Sequence, residues 1–323
     1  MAGPVRLAEH PDFAAFLAAA ATESELPEAF VEKDYWITEI LRTIATTLGE
    51  RAIFKGGTSL SKGWDLLDRF SEDIDLFVDP VVEPPLRNER AINRVMKKLN
   101  RDVAAIPGLD FVRADSKTIG GRGRMDTFLY RSHFPEVEGF PPTVRLEPGI
   151  QSGKQPTTTL KISSIVGWLL STQGATDELG VEGLQLFEMT LLHFRRTFVE
   201  KLFAIHGKIE QLKESGAPLG RDVRHYADLY VLAGRPEVTA MLASDEYGEI
   251  KSDYDEKSRT FFPRSYRPPP DLRFTTSDAL FPPDELRVAI EPGYEEESRR
   301  LFFRPHPGFA EVLERFAEIR DLL

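Results

Sequence analysis

The stretch between Ala52 and Val78 constrains this 323-residue chain most. It reads as a short apolar strand Ala52–Phe54, a Lys55-Gly56-Gly57-Thr58-Ser59 turn, a short amphipathic segment, and the run Asp73-Ile74-Asp75-Leu76-Phe77-Val78. Successive side chains of a strand point to opposite faces, so Asp73 and Asp75 share one face and Ile74 takes the other. Two carboxylates on one face suit a hard cation such as Mg²⁺ or Mn²⁺, which takes oxygen ligands and completes its shell with substrate phosphates. Gly56 and Gly57 permit positive φ and close approach of backbone N–H groups to an anion. Thr58 and Ser59 are expected to open a helix running from Ser59 to Leu67, whose first turn favours phosphate. Taken singly, the halves read more simply as an ordinary glycine turn and as two solvated aspartates. Their order places triphosphate and metal side by side. A P-loop is excluded, because no Gly-x-x-x-x-Gly-Lys-Ser/Thr occurs and Lys55 precedes its glycines.

Around this unit, apolar residues at helical spacing predict two N-terminal helices, one including Phe13 and Leu17 and one carrying Phe30, Trp36, Ile40 and Ile44. Arg87 to Ile106 reads as a helix closed by Pro107-Gly108. Leu109–Val112, Met125–Tyr130 and Thr143–Glu147 read as strands, with Gly120-Gly121-Arg122-Gly123 as a hairpin turn and not a second phosphate loop. A β-branched run from Thr157 to Val166 leads into a helical half, in which Phe198, Leu202, Ile205 and Ile209 mark a core stripe from Arg195 to Glu214. Prolines interrupt residues 252–307, which are expected to wrap the surface as extended loops docked by their phenylalanines. The fold expected is α+β: residues 1–155 as a mixed sheet with flanking helices, and 156–323 as a mostly helical C-terminal domain with proline-rich wrapping loops.

The chain has no cysteine, which excludes a disulfide framework and thiolate metal ligands. No uncharged apolar stretch of about 18 residues occurs, and no basic start followed by an apolar run, so no membrane association is expected and the cytoplasm is the expected compartment. The net charge of −11 argues against broad binding to nucleic acid. Residues 195–224, with Arg195, Arg196, Lys201, Lys208, Lys213, Arg221 and Arg224, are locally basic, either as an RNA-binding patch or as a helix face of mixed charge.

Five blocks carry a resemblance to a known family. They are Val31-Glu32-Lys33-Asp34-Tyr35-Trp36; Lys55-Gly56-Gly57-Thr58-Ser59-Leu60-Ser61-Lys62; Arg69-Phe70-Ser71-Glu72-Asp73-Ile74-Asp75-Leu76; Arg196-Thr197-Phe198-Val199-Glu200-Lys201-Leu202; and Arg221-Asp222-Val223-Arg224-His225-Tyr226-Ala227-Asp228-Leu229-Tyr230. In this order they resemble the nucleotidyltransferase superfamily that includes polymerase-β-like enzymes, and more closely the AbiEii/AbiGii toxins, to which the MenT toxins of type IV toxin–antitoxin systems belong. The resemblance implies a bilobed polymerase-β-like fold with the active site in the cleft between its lobes. It implies metal at Asp73 and Asp75, phosphates at Gly56, Gly57, Thr58 and Ser59 with Lys62 and Arg224 as further nucleotide-binding cations, Lys201 directed at the triphosphate, and Asp228 orienting Lys201 or Arg224. Glu147, ending an alternating strand, is either a third metal carboxylate or an edge residue facing water. Asp222 reads as a helix cap, and His225 as a structural histidine or a base.

The activity the resemblance implies is transfer of NMP from an NTP to the 3′ acceptor end of tRNA, blocking translation, with a cognate antitoxin as partner. Two alternatives stand beside it: transfer to a protein or small-molecule hydroxyl, and a non-catalytic nucleotide-binding module. Phosphorylation of Ser71, two residues before Asp73, would place about two negative charges beside the aspartates and oppose metal binding.

Overall fold

The computed structural model describes residues 5–71, 73–137, 139–175 and 181–323; Glu72, within one of the five blocks, lies outside them. Its strands are β1 (Val5–Arg6), β2 (Ala52–Lys55), β3 (Asp73–Val78), β4 (Leu109–Ile119), β5 (Gly123–Tyr130), β6 (Thr143–Gly149), β7 (Thr157–Ile162), β8 (Val181–Glu182) and β9 (Phe187–Leu192). Its α-helices are α1 (Phe13–Ser24), α2 (Glu28–Leu48), α3 (Gly56–Lys62), α4 (Glu89–Ala104), α5 (Ile165–Thr172), α6 (Phe194–Ser215), α7 (Arg224–Ala233), α8 (Pro236–Leu242), α9 (Asp245–Phe261), α10 (Asp284–Leu301) and α11 (Phe309–Glu318). The class is α+β, as expected. Two compact units are formed, one from Met1–Gly63, Glu72–Ile150 and Thr157–Leu191, the other from Trp64–Ser71, Gln151–Pro156 and Leu192–Leu323. Among the described residues no helix is long and apolar enough to cross a membrane.

The first unit is built on a seven-stranded mixed sheet in the order β4-β5-β6-β3-β2-β9-β7. β3 runs antiparallel to β2 and parallel to β6, so the two neighbours of the Asp-x-Asp strand differ in direction. Alternation sorts the faces cleanly. Ile74, Leu76, Val144 and Leu146 are buried, whereas Asp73, Asp75, Arg145 and Glu147 are half-buried on the opposite face. Helix α4 is capped by Asn88, whose side chain accepts the Ala91 N–H at 2.9 Å, and buries the stripe Ile92, Met96, Leu99 and Val103. The glycine turn before β5 is a hairpin, with Gly120 and Gly121 at φ +54° and +68°.

Two expectations are corrected. Helix α3 begins at Gly56 and stops at Lys62, shorter than the expected Ser59–Leu67. Gly63, which follows, keeps helical angles, and a Cβ on it would sit 2.1 Å from Leu191 Cδ2, so a larger residue here would have to displace Leu191. In the second unit, residues 252–307 are not mainly extended: α9 and α10 cover much of that span. Most of the prolines sit outside these helices, and Pro292 lies within α10, where tertiary packing outweighs the missing N–H. Ile290, Tyr294 and Leu301 bury one stripe of it.

Candidate active site

In the first unit, the sequence Lys55-Gly56-Gly57 carries the chain from β2 directly into α3, beside the start of β3. Gly56 adopts φ +77°, and a Cβ placed there would lie 2.0 Å from Asp75 Oδ2. The glycine therefore makes the space in which the Asp75 carboxylate sits. Thr58 and Ser59 are buried, and their hydroxyls are committed to the backbone: Thr58 Oγ1 donates to the Asp73 carbonyl and Ser59 Oγ to the Gly56 carbonyl at 2.9 Å. These bonds lock the turn onto β3. What the turn offers an anion is chiefly its backbone at Gly56 and Gly57, both half-buried.

Strand register assembles the carboxylates. Asp75 stands opposite Lys55 on β2 and opposite Glu147 on β6, and Asp73 stands opposite Arg145. Arg145 Nη1 lies 3.6 Å from Asp73 Oδ1 and 3.9 Å from Glu147 Oε1, bridging two of the three acids. Burial, then the charges of Asp75 and Asp73, push the Glu147 carboxyl up to about 7, against the pull of Arg145 and Lys117. Among the described residues no three His, Cys, Asp or Glu side chains form a ready metal cage. A divalent cation that takes one or two protein carboxylates and completes its shell from substrate phosphates needs none. The Asp73–Asp75 pair, on one face of β3, fits that donor set. Arg145 was not singled out in the sequence, although its i, i+2 spacing to Glu147 places the two on one face.

Lys62 is used differently from the nucleotide-binding role expected for it. Its Nζ is buried, bonded to Asp34 Oδ1 at 2.5 Å and to the Ser163 carbonyl at 2.9 Å, while Asp34 Oδ2 accepts the Ile165 N–H at 2.8 Å. The first block is thereby explained as architecture. Glu32 in the same block is fully buried and takes the His133 ring and the Ser132 hydroxyl, and Lys33 donates to the Pro141 carbonyl.

In the second unit, α6 and α7 bring Lys201 and Asp228 together, with Lys201 Nζ 2.7 Å from Asp228 Oδ2. Arg69, from the segment Trp64–Ser71, completes the cluster through a two-pronged bond, Nε to Oδ1 at 2.5 Å and Nη2 to Oδ2 at 2.7 Å. Asp228 is 0% and Arg69 1% exposed. Burial alone would raise the Asp228 carboxyl; the Arg69 and Lys201 charges overcome it and hold the group well below the usual carboxylate range. Burial lowers Lys201, with Arg69 and Arg224 adding to the shift and Asp228 opposing it. The His225 ring nitrogen Nδ1 lies 3.2 Å from Lys201 Nζ, and burial first, then the lysine charge, keep this imidazole neutral. Asp222 pairs with Lys208 at 2.9 Å and caps nothing through its side chain. Arg69 was missed among the site residues; its place in the third of the five blocks, four residues before Asp73, was the available signal.

The family comparison bears on this arrangement. The model of the AbiEii family, described as nucleotidyl transferase AbiEii toxin of the type IV toxin–antitoxin system, matches residues 39–315. The chain belongs to the AbiEii family. No curated protein matches it significantly. The AbiEii match takes in the Gly56 turn, the Asp73–Asp75 strand, Glu147, Lys201 and Asp228 together. The basic run at 195–224, by contrast, is largely neutralised in the fold. Arg195 pairs with Glu246, Arg196 with Glu200 and Asp253, Lys208 with Asp222, and Lys213 with Glu210 and Asp278. Ser71 is buried.

Proposed function

We propose that this AbiEii-family chain is a polymerase-β-like nucleotidyltransferase toxin that transfers NMP from an NTP to the 3′ acceptor end of tRNA in the cytoplasm, and that a cognate antitoxin restrains it. The observation that carries this is the carboxylate face: Asp73 and Asp75 on one side of β3, with Glu147 opposite Asp75 and Gly56 making the room that the Asp75 carboxylate occupies. Mg²⁺ or Mn²⁺, held by Asp73 and Asp75, would supply positive charge at the α-phosphate. Glu147 is proposed as the third carboxylate of that site. The backbone at Gly56 and Gly57, with Thr58 and Ser59 fixing its shape, is proposed to receive the β and γ phosphates.

The acceptor 3′-hydroxyl oxygen attacks the α-phosphorus in line, the bond to the bridging oxygen of pyrophosphate breaks, and the hydroxyl proton passes to a nearby carboxylate or solvent. Lys201 is proposed as the cation that neutralises the departing pyrophosphate, with Arg224 as a second; Asp228 keeps Lys201 oriented at 2.7 Å. Incubation with labelled NTPs and separate RNA and protein pools tests the acceptor. Label is expected in tRNA, and Asp73→Ala is expected to abolish both that label and growth inhibition. Survival of both in the variant would remove the metal-site assignment, and label confined to protein would replace the acceptor.

A further inference from the structure

We propose that the groove between α4 and the edge strand β4 binds the phosphate backbone of the RNA acceptor. The proposal rests on the tRNA reading above and adds to it a docking surface on the first unit. The groove has a volume of about 460 Å³, and six cations line it: Arg94, Lys97 and Arg101 from α4, Arg113 and Lys117 from β4, and Arg124 from β5. No carboxylate lines it. In a chain of net charge −11, such a concentration of one sign is a local feature of the fold and not of composition.

The cations are available in a way the 195–224 run is not. Arg94, Lys97, Arg101, Arg113 and Lys117 are exposed, and none of Arg94, Lys97 or Arg113 makes an ion pair among the described residues. Arg124 is held from behind by Asp126, with two bonds of 2.9 and 2.8 Å that fix its plane. Arg94, Lys97 and Arg101 recur at i, i+3 and i+7, so they form one row about 10 Å long on the helix. A row of cations with an arginine-rich wall suits a continuous polyanion better than a single small anion.

The groove also leads somewhere. β4 is the edge of the sheet, and its register shifts between Val112 and Lys117. Lys117 then pairs with Met125, which stands opposite Glu147 in the constant register set by Gly123↔Gly149 and Asp126↔Leu146. The row across the sheet is therefore Lys117, Met125, Glu147, Asp75 and Lys55. Lys117 both lines the groove and stands in that row. A strand held on the α4 side thus has a positively charged route round the sheet edge to the carboxylates.

The test uses the full chain with a charge-reversed triple variant, Arg94→Glu, Lys97→Glu and Arg113→Glu, and a milder Lys97→Gln, Arg113→Gln pair as a control for folding. The probe is an end-labelled unfractionated tRNA pool, read by fluorescence anisotropy against salt concentration. Loss of three phosphate contacts is expected to weaken binding by at least about tenfold and to reduce the slope of log K against log salt by about 2. The pair should lose part of both, with Mg·NTP binding and thermal unfolding unchanged in each. Equal affinity and equal salt slope in both variants, with wild type still labelling tRNA, would overturn the groove alone. Failure of wild type to bind or label tRNA would overturn groove and acceptor together. Retention of tRNA binding with loss of antitoxin neutralisation would make the groove a protein surface and overturn the proposal.

Discussion

At Gly56 the chain combines a backbone angle of φ +77° with a carboxylate 2.0 Å from where a side chain would begin, so one residue carries both a conformational and a steric demand. Gly56→Ala is expected to destabilise the protein by roughly 1–3 kcal/mol and to displace Asp75, which urea unfolding and nucleotide transfer would report separately. Asp228 makes the opposite demand, because its charge is what permits two buried cations. Asp228→Asn leaves Arg69 and Lys201 facing each other without compensation, and a loss of about 3–5 kcal/mol is expected in chemical denaturation. Asp73, Asp75 and Lys201 were legible in the sequence because their spacing or their block marks them. Arg69 and Arg145 were not, since their importance is set by the partners they meet, and those partners lie on other strands or far along the chain.

The elements are tuned at their ends. Helix α6 is capped by His193, whose Nδ1 accepts the Arg195 N–H at 3.2 Å, a bond only the neutral imidazole can make. Burial, then the Arg195 charge, lower His193 to about 4, against the weaker pull of Glu246 and Glu237. Burial and Lys201 lower His225 as well. A histidine whose folded pKa lies below its unfolded value binds its proton first in the unfolded chain. Stability is therefore full above about 6.5 and is lost as pH falls from there toward about 4. Thermal unfolding across that range should show the decline, and His193→Ser, which keeps a cap without a titrating ring, should make it shallower and leave the His225 share. At α4, Asn88→Ala is expected to cost about 1 kcal/mol through loss of the bond to the Ala91 N–H. The α4 stripe and the alternation in β3 and β6 were readable because burial enforces their periods. The body of α10 was not, because packing of Tyr294 and Leu301 overrides Pro292 there.

In the whole molecule, the second unit is discontinuous in sequence, since Trp64–Ser71 and Gln151–Pro156 belong to it. Arg69 from the first segment holds Asp228, and the Gln155 carbonyl from the second accepts Arg196 Nη1 at 3.0 Å. A fragment spanning residues 192–323 lacks both, so it is expected to melt without a cooperative transition when followed by circular dichroism. Charge shows the same dependence on the fold. The sequence is most conspicuously basic at 195–224, where carboxylates brought in by the fold neutralise most of the cations, while the groove collects its six from a helix and two strands. By itself the sequence determined the α+β class, the Asp-x-Asp face and the glycine turn, consequences of local geometry acting on neighbouring residues, and it carried the AbiEii likeness in five blocks in order. Only the tertiary structure decided which charges are spent and which are left over, because a buried or paired charge is set by whatever the fold brings within a few ångströms of it.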